Sequence, residues 1–246
     1  MAYAPEQIGR FIERYKTFAQ EKSEVRVSQF TRGFGQVRAA LEALANLERH
    51  SQRELASRFN LFKVLGVETR ERQTHSAFLA ELFRPNGTHG QGHLFLEVFL
   101  QYCWNKFESF PRLDSSIETA HWDVDCEKPV YEGQLDIVVE APKLKFLMVV
   151  ENKIGALEQK DQIGRYQSWL SRQRYDRRVL IYLTPDGRRP TTQASEDYFC
   201  LSYAEDVVAW LQPALANVKA PRVREAVTQY RDLIRGLFPL GEEERI

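Results

Sequence analysis

Between Gln134 and Lys153 the chain reads Gln-Leu-Asp-Ile-Val-Val-Glu, a short break at Pro142, then Lys-Phe-Leu-Met-Val-Val-Glu-Asn-Lys. Two runs rich in β-branched residues around a polar break predict consecutive strands. Asp136, Glu151 and Lys153 sit inside or at the end of these apolar runs. Such strands are buried on at least one face, where a charge is costly unless it is paired or bound to a metal. If Pro142 to Lys145 form the loop, Ala141 faces Phe146, Asp136 lies opposite Glu151, and Gln134 lies opposite Lys153. Opposed residues of an antiparallel pair share a face, with Cβ atoms roughly 4.5–5.5 Å apart. The period of two puts Glu151 and Lys153 on one face as well. Two carboxylates and an ammonium then converge on one patch. A slip of one residue would turn Asp136 to the other face, so everything else depends on this register.

The flanking segments supply an order of elements. Ile8, Phe11, Ile12 and Tyr15 predict an amphipathic helix from about residue 5 to 19. Val37, Leu41, Leu44, Ala45 and Leu47 predict a second within 34–59. Glu71 to Phe83 reads as a helix stopped by Arg84-Pro85-Asn86-Gly87, and Leu94 to Phe107 as another. His89 and His93 are four apart, a metal-ligand spacing on a helix, but Gly90-Gln91-Gly92 between them favours a loop that bonds a helix start. Trp122, Val124 and Cys126 alternate with acidic residues, as in a half-buried strand leading into the hairpin. A helix over 158–172, a strand over 178–184 and a short strand over 198–202 follow. Ser202 and Glu205 then form a capping box, and a final helix starts at Pro221 and ends near Gly236. Strand, helix and strand make a βαβ unit, parallel and right-handed.

Composition narrows the class. Lys plus Arg and Asp plus Glu are 34 each, so net charge argues neither for nor against nucleic acid. Three cysteines without a CxxC pair fit a reducing compartment. No apolar run reaches the roughly 18 residues of a membrane span, and no signal-peptide core opens the chain. The expectation is a cytoplasmic protein without a membrane partner. Its domains would be an N-terminal helical extension over 1–65, packed on a core domain over 66–246.

The ordered set of a helix, a hairpin carrying Asp136 and Glu151-Asn152-Lys153, a crossover helix and a further strand resembles the PD-(D/E)xK nuclease superfamily. Gln162 and Tyr166 resemble the helix motif of its RecB-like branch. Thr74 to Phe83, Pro85 to Gly92 and Leu201-Ser202-Tyr203 resemble an uncharacterised bacterial family within it. Leu135 stands where the family has a nominal proline. The resemblance implies an α/β restriction-endonuclease-like core, a mixed central sheet with a β-hairpin and βαβ crossover flanked by helices, with additional N- and C-terminal helices. It also implies that Lys153 orients or deprotonates the attacking water and stabilises phosphate charge, and that Gln162 and Tyr166 line or brace the site. A glutamate of the preceding helix would assist the metal, either Glu71 or Glu81.

Physical chemistry gives the same site a metal. Mg²⁺ prefers carboxylate, carbonyl and water oxygens; Asp136, Glu151 and the Asn152 carbonyl could supply three, and Mn²⁺ could replace Mg²⁺. Such a metal acidifies water and polarises a phosphoryl oxygen. Arg165, Arg174 and Arg177 are candidate phosphate contacts. The leading expectation is a Mg²⁺-dependent deoxyribonuclease, an endonuclease of restriction or phage defence, with RNA as an alternative substrate, a local groove or a partner subunit to deliver it, and a homo-oligomer as an alternative assembly. The competing readings are an inactive nucleic-acid-binding or assembly module on the same fold, and a helical interaction protein driven by its first 60 residues.

Overall fold

The computed structural model describes residues 5–56, 58–113, 117–155, 158–191 and 197–240. The chain divides into two compact units, Met1–Phe59 and Asn60–Ile246. Among its described residues the first contains one helix, α1 (Pro5–Leu55), where periodicity predicts two. The segment between the two stripes has no proline, and Gly33 and Gly35 lie inside the helix. A helical glycine costs about 1 kcal/mol relative to alanine, whereas ending and renucleating a helix carries a larger penalty. Continuation therefore wins.

The second unit is built on a five-stranded sheet in the order β1-β2-β3-β4-β5. Its strands are β1 (Asp123–Val130), β2 (Gly133–Ala141), β3 (Phe146–Asn152), β4 (Arg177–Thr184) and β5 (Phe199–Ser202). The first three pair antiparallel, and β4 and β5 add in parallel. The β2–β3 register runs from Ala141↔Phe146 to Ile137↔Val150, the pairing expected from the sequence. Pro129 falls on the edge strand β1, where the missing N–H costs least.

Both faces of the sheet are covered. Leu135, Val138, Leu147, Val149, Leu180 and Tyr182 pack with Ile163, Tyr166 and Leu170 of the crossover helix α5 (Gln162–Ser171). On the other face, Ile137, Val139, Met148, Val150 and Ile181 join a larger core with α3 (Ala77–Phe83), α4 (Leu94–Lys106), α6 (Val208–Asn217) and α7 (Pro221–Leu237). A short helix, α2 (Leu61–Val64), is capped by Asn60, whose amide donates to the Gln229 carbonyl of α7 at 2.7 Å. Before α3, Glu71–Ser76 form a π-helical turn. A second π-helical turn, Tyr203–Val207, opens α6, with Ser202 Oγ accepting from the Glu205 and Asp206 N–H groups. Among the described residues no helix is long and apolar enough to cross a membrane.

Leu135 and Ile137 are two apart on β2 yet pack into different cores. The β1–β2 ladder pairs Cys126↔Ile137 and Lys128↔Leu135 but skips the pair between them, and there Glu127 adopts a left-handed φ of 58°. The alternation is broken beside Asp136.

Candidate active site

The β2–β3 ladder ends at Ile137↔Val150, and Asp136 and Glu151 are the next residues of their strands, at the end of the sheet where β3 gives way to Lys153. Asp136 is 3% exposed and Glu151 is fully buried. Asp136 Oδ2 accepts the Asn152 N–H at 2.8 Å. Glu151 Oε1 accepts from Gln162 Nε2 at 2.7 Å and lies 2.5 Å from Lys153 Nζ. Glu151 Oε2 has no hydrogen-bond partner among the described residues. The π-helical turn brings in Glu71, whose Oε2 accepts the Ile154 N–H at 2.6 Å and whose Oε1 lies 3.9 Å from Lys153 Nζ.

The helix α5 closes the other side. Gln162 Nε2 also reaches Tyr166 Oη at 3.1 Å, and that hydroxyl donates to the Gln134 carbonyl at 2.7 Å. Gly133 lies against the ring with φ +146°; a Cβ placed there would meet Tyr166 Oη at an ordinary 3.4 Å, so it is the backbone and not the space that calls for glycine. Only glycine populates such a backbone freely.

Three carboxylates, Glu71, Asp136 and Glu151, face one ammonium, Lys153. Burial raises the Glu151 carboxyl well above its ordinary value, and the Asp136 charge adds to this against the opposing pull of Lys153. Burial likewise raises Asp136, opposed by the Asn152 N–H and by Lys153. For Lys153 burial favours the neutral amine, but Glu151, Asp136 and Glu71 outweigh it and raise the ammonium above its ordinary range. The cluster is thus short of positive charge.

A divalent cation fits that deficit. Among the described residues no group of three or more His, Cys, Asp and Glu side chains could hold a metal ion, so an all-side-chain cage is absent there. Mg²⁺, however, is commonly bound by one or two carboxylates, completed by water and substrate phosphate. The orphaned Glu151 oxygen and the Asp136 carboxylate are donors of that kind.

The other expected residues divide by geometry. Glu81 is occupied elsewhere, accepting from Thr88 N–H at 2.5 Å and Thr88 Oγ1 at 2.8 Å and pairing with Arg84 at 3.2 Å. His89 Nε2 donates to the Arg84 carbonyl at 2.7 Å while Nδ1 accepts the Gln91 N–H at 3.0 Å, so it organises a loop. Arg165 sits on α5 and donates to the Lys160 carbonyl and to Gln159 Oε1. Arg177 pairs in register with Phe146 at the start of β3, six residues and roughly 20 Å of strand from Asn152. Arg174 lies just before it, beyond the C-terminal end of α5. The structure brings neither Arg174 nor Arg177 to the carboxylates, because a parallel crossover returns the chain to the opposite end of the sheet.

Two residues outside the expected set lie at the site instead. Arg72, beside Glu71, has its Nε 3.3 Å from Glu127 Oε2 and donates from Nη1 to Gln134 Oε1 at 3.3 Å. Glu127 is the residue with the left-handed backbone. No periodic pattern marks either one; their clue is adjacency to Glu71 and to the strand facing Asp136.

A mixed sheet with a carboxylate-bearing hairpin, a crossover helix and flanking helices defines a restriction-endonuclease-like α/β class. The family model of the PD-(D/E)XK nuclease superfamily matches residues 59–235, and the chain belongs to that superfamily. Nucleases of this superfamily generally use divalent metals and act on nucleic acids. No curated protein and no solved structure gives a significant match.

Proposed function

We propose that the protein is a Mg²⁺-dependent nuclease that hydrolyses phosphodiester bonds of DNA, with Asp136, Glu151 and Lys153 as its catalytic centre. The observation that carries this reading is the fully buried Glu151 carboxylate with one oxygen unbonded, next to a second buried carboxylate and a lysine. Burying such charges is costly without a function or a cation to compensate them. Asp136, Glu151 and the Asn152 carbonyl would hold the cation, with Glu71 nearby. When bound, the metal supplies Lewis acidity at the phosphoryl oxygen and lowers the pKa of water.

The chain's own groups do the rest. Lys153, held protonated by its acidic neighbours, stabilises negative charge that develops on the phosphate; charge stabilisation of this kind is a large part of phosphoryl-transfer catalysis. Gln162 fixes Glu151 through its amide, and Tyr166 fixes the start of β2 through the Gln134 carbonyl. Glu71 holds the backbone after Lys153 by accepting the Ile154 N–H, which sets the direction of the lysine. Arg72, beside Glu71, and Arg165, on α5 with Gln162 and Tyr166, would neutralise phosphates flanking the scissile bond.

Incubation with supercoiled, linear and single-stranded DNA and with RNA, in Mg²⁺, Mn²⁺ or EDTA, tests the proposal. DNA cleavage that requires the metal and is lost in Asp136→Ala and Glu151→Ala is the expected result. Salt-sensitive binding without turnover would instead identify an inactive module.

A further inference from the structure

Asn152 lies between Glu151 and Lys153 on a strand, so its side chain points to the opposite face of the sheet. There it is fully buried, on the face that carries the larger core. An apolar residue would suit that core, yet the asparagine is held from both sides. Its Nδ2 donates to Ser76 Oγ at 3.0 Å, and its Oδ1 accepts from Tyr203 Oη at 2.8 Å. Tyr203 lies beside Tyr230 of α7, whose hydroxyl lies 3.0 Å from His75 Nδ1. His75 Nε2 lies 2.9 Å from the Glu68 carbonyl. Since a carbonyl only accepts, Nε2 carries the proton. Ser76, His75, Tyr203 and Tyr230 are all fully buried.

Buried hydrogen bonds of this kind fix one geometry, and the two to the Asn152 side chain act on the residue whose backbone N–H holds Asp136 Oδ2. Its two anchors come from distant places, the π-helical turn that also presents Glu71 and the turn after β5. The same asparagine contributes the backbone carbonyl assigned above to the cation. We propose that Ser76 and Tyr203, the latter backed by Tyr230, are positioning residues. By clamping the Asn152 side chain they fix the end of β3, and with it the carbonyl and the Asp136 carboxylate, for the divalent cation. This inference rests on the metal-site reading above. Groups that orient metal ligands from behind commonly contribute 10–100-fold in affinity.

Mn²⁺ titration of the full-length protein, read by thermal shift and by calorimetry, tests the clamp without relying on cleavage. The wild type is compared with Tyr203→Phe, Ser76→Ala, Asn152→Ala and the double variant Tyr203→Phe/Asn152→Ala. Tyr102→Phe is the control, since it removes a hydroxyl bonded to Asp206 outside the clamp. Asn152→Ala keeps the backbone carbonyl, so any loss there reports positioning and not a missing ligand. The expected result is a Mn²⁺ midpoint weakened roughly 10–100-fold in each clamp variant and unchanged in Tyr102→Phe. The double variant should be no weaker than Asn152→Ala alone, because both act on one element. If Tyr203→Phe fails to fold, Ser76→Ala reads the clamp from its other side. Clamp variants that lose thermal stability but keep the wild-type Mn²⁺ midpoint would reduce the network to a structural one and overturn the inference. A wild type that shows no Mn²⁺ binding would overturn the inference together with the metal-site reading.

Discussion

Glu151→Gln separates a metal site from a structural ion pair. The substitution keeps the shape and the Oε1 acceptor that Gln162 and Lys153 use, and it removes a charge from a fully buried position. In the variant the Nε2 amide takes the place of the unbonded Oε2, so that position stays unsatisfied and the difference between the two proteins is the charge. Lys153 loses its 2.5 Å ionic partner but keeps Glu71 at 3.9 Å and the Asp136 charge. The cluster then has two carboxylates against one ammonium, a smaller excess of negative charge. Without metal, the variant should therefore be the more stable wherever wild-type Glu151 must ionise, by up to about 1.4 kcal/mol for each pH unit through which burial holds that carboxyl protonated. The pH dependence has a matching sign. A carboxyl whose folded pKa is raised contributes stability that is complete below its unfolded value and lost as pH rises through the folded value. The wild type in EDTA should thus lose stability as pH rises from about 4.5, the ordinary glutamate value, and the variant's decline should be shallower. Divalent metal reverses the ranking. Saturation at about 100 times Kd adds roughly 2.7 kcal/mol to a protein that binds it, and the variant should not gain it. Thermal melts with EDTA or Mg²⁺ from pH 5 to 8.5 (approximate limits that bracket the raised carboxyls) read all three effects. A metal-free loss of about 3–5 kcal/mol, the usual cost of breaking a buried ion pair, with no metal-dependent difference from wild type, would refute the reasoning.

Three further outcomes follow from the site's surroundings. Gly133→Ala puts a side chain on a backbone at φ +146°; a cost of about 1–3 kcal/mol in denaturant melts should accompany slower cleavage, since relief of that strain shifts the start of β2 and the Gln134 carbonyl that Tyr166 holds. Glu127→Gly relieves the left-handed backbone at φ 58°, and after the entropy cost of glycine a gain of up to about 1 kcal/mol should appear in Tm. Arg72→Gln should lower the slope of DNA binding against salt by about one contact, whereas Arg174→Gln, at the far end of the sheet, should leave that slope unchanged.

The hairpin was legible because its information is local. Pro142 sets the turn, a period of two sets the faces, and together they fix the pairing of Ala141 with Phe146 and the approach of Asp136 to Glu151. The caps at Ser202 and Pro221 were legible for the same reason. What the sequence concealed depends on through-space partners. Glu71 and Glu81 occupy similar places in the pattern before the hairpin, and only the π-helical turn decides that Glu71 reaches Lys153. The arginines after α5 are near the site in sequence, but β4 starts at the opposite end of the sheet. The strain at Glu127 and the bond between Tyr203 and Asn152 join segments far apart in the chain, where periodicity carries no signal.

The central claim is that Asp136, Glu151 and Lys153 form one hydrolytic centre. Single-turnover cleavage of DNA by the wild type and by Lys153→Ala, each with Mg²⁺ and with EDTA, measures it most directly, provided both proteins show the same far-UV circular dichroism. The account predicts metal-dependent strand cleavage by the wild type and a loss on the order of 10²-fold or more in Lys153→Ala, the scale of removing one group that stabilises transition-state charge. Undiminished cleavage by Lys153→Ala, or wild-type cleavage that persists in EDTA, would contradict it.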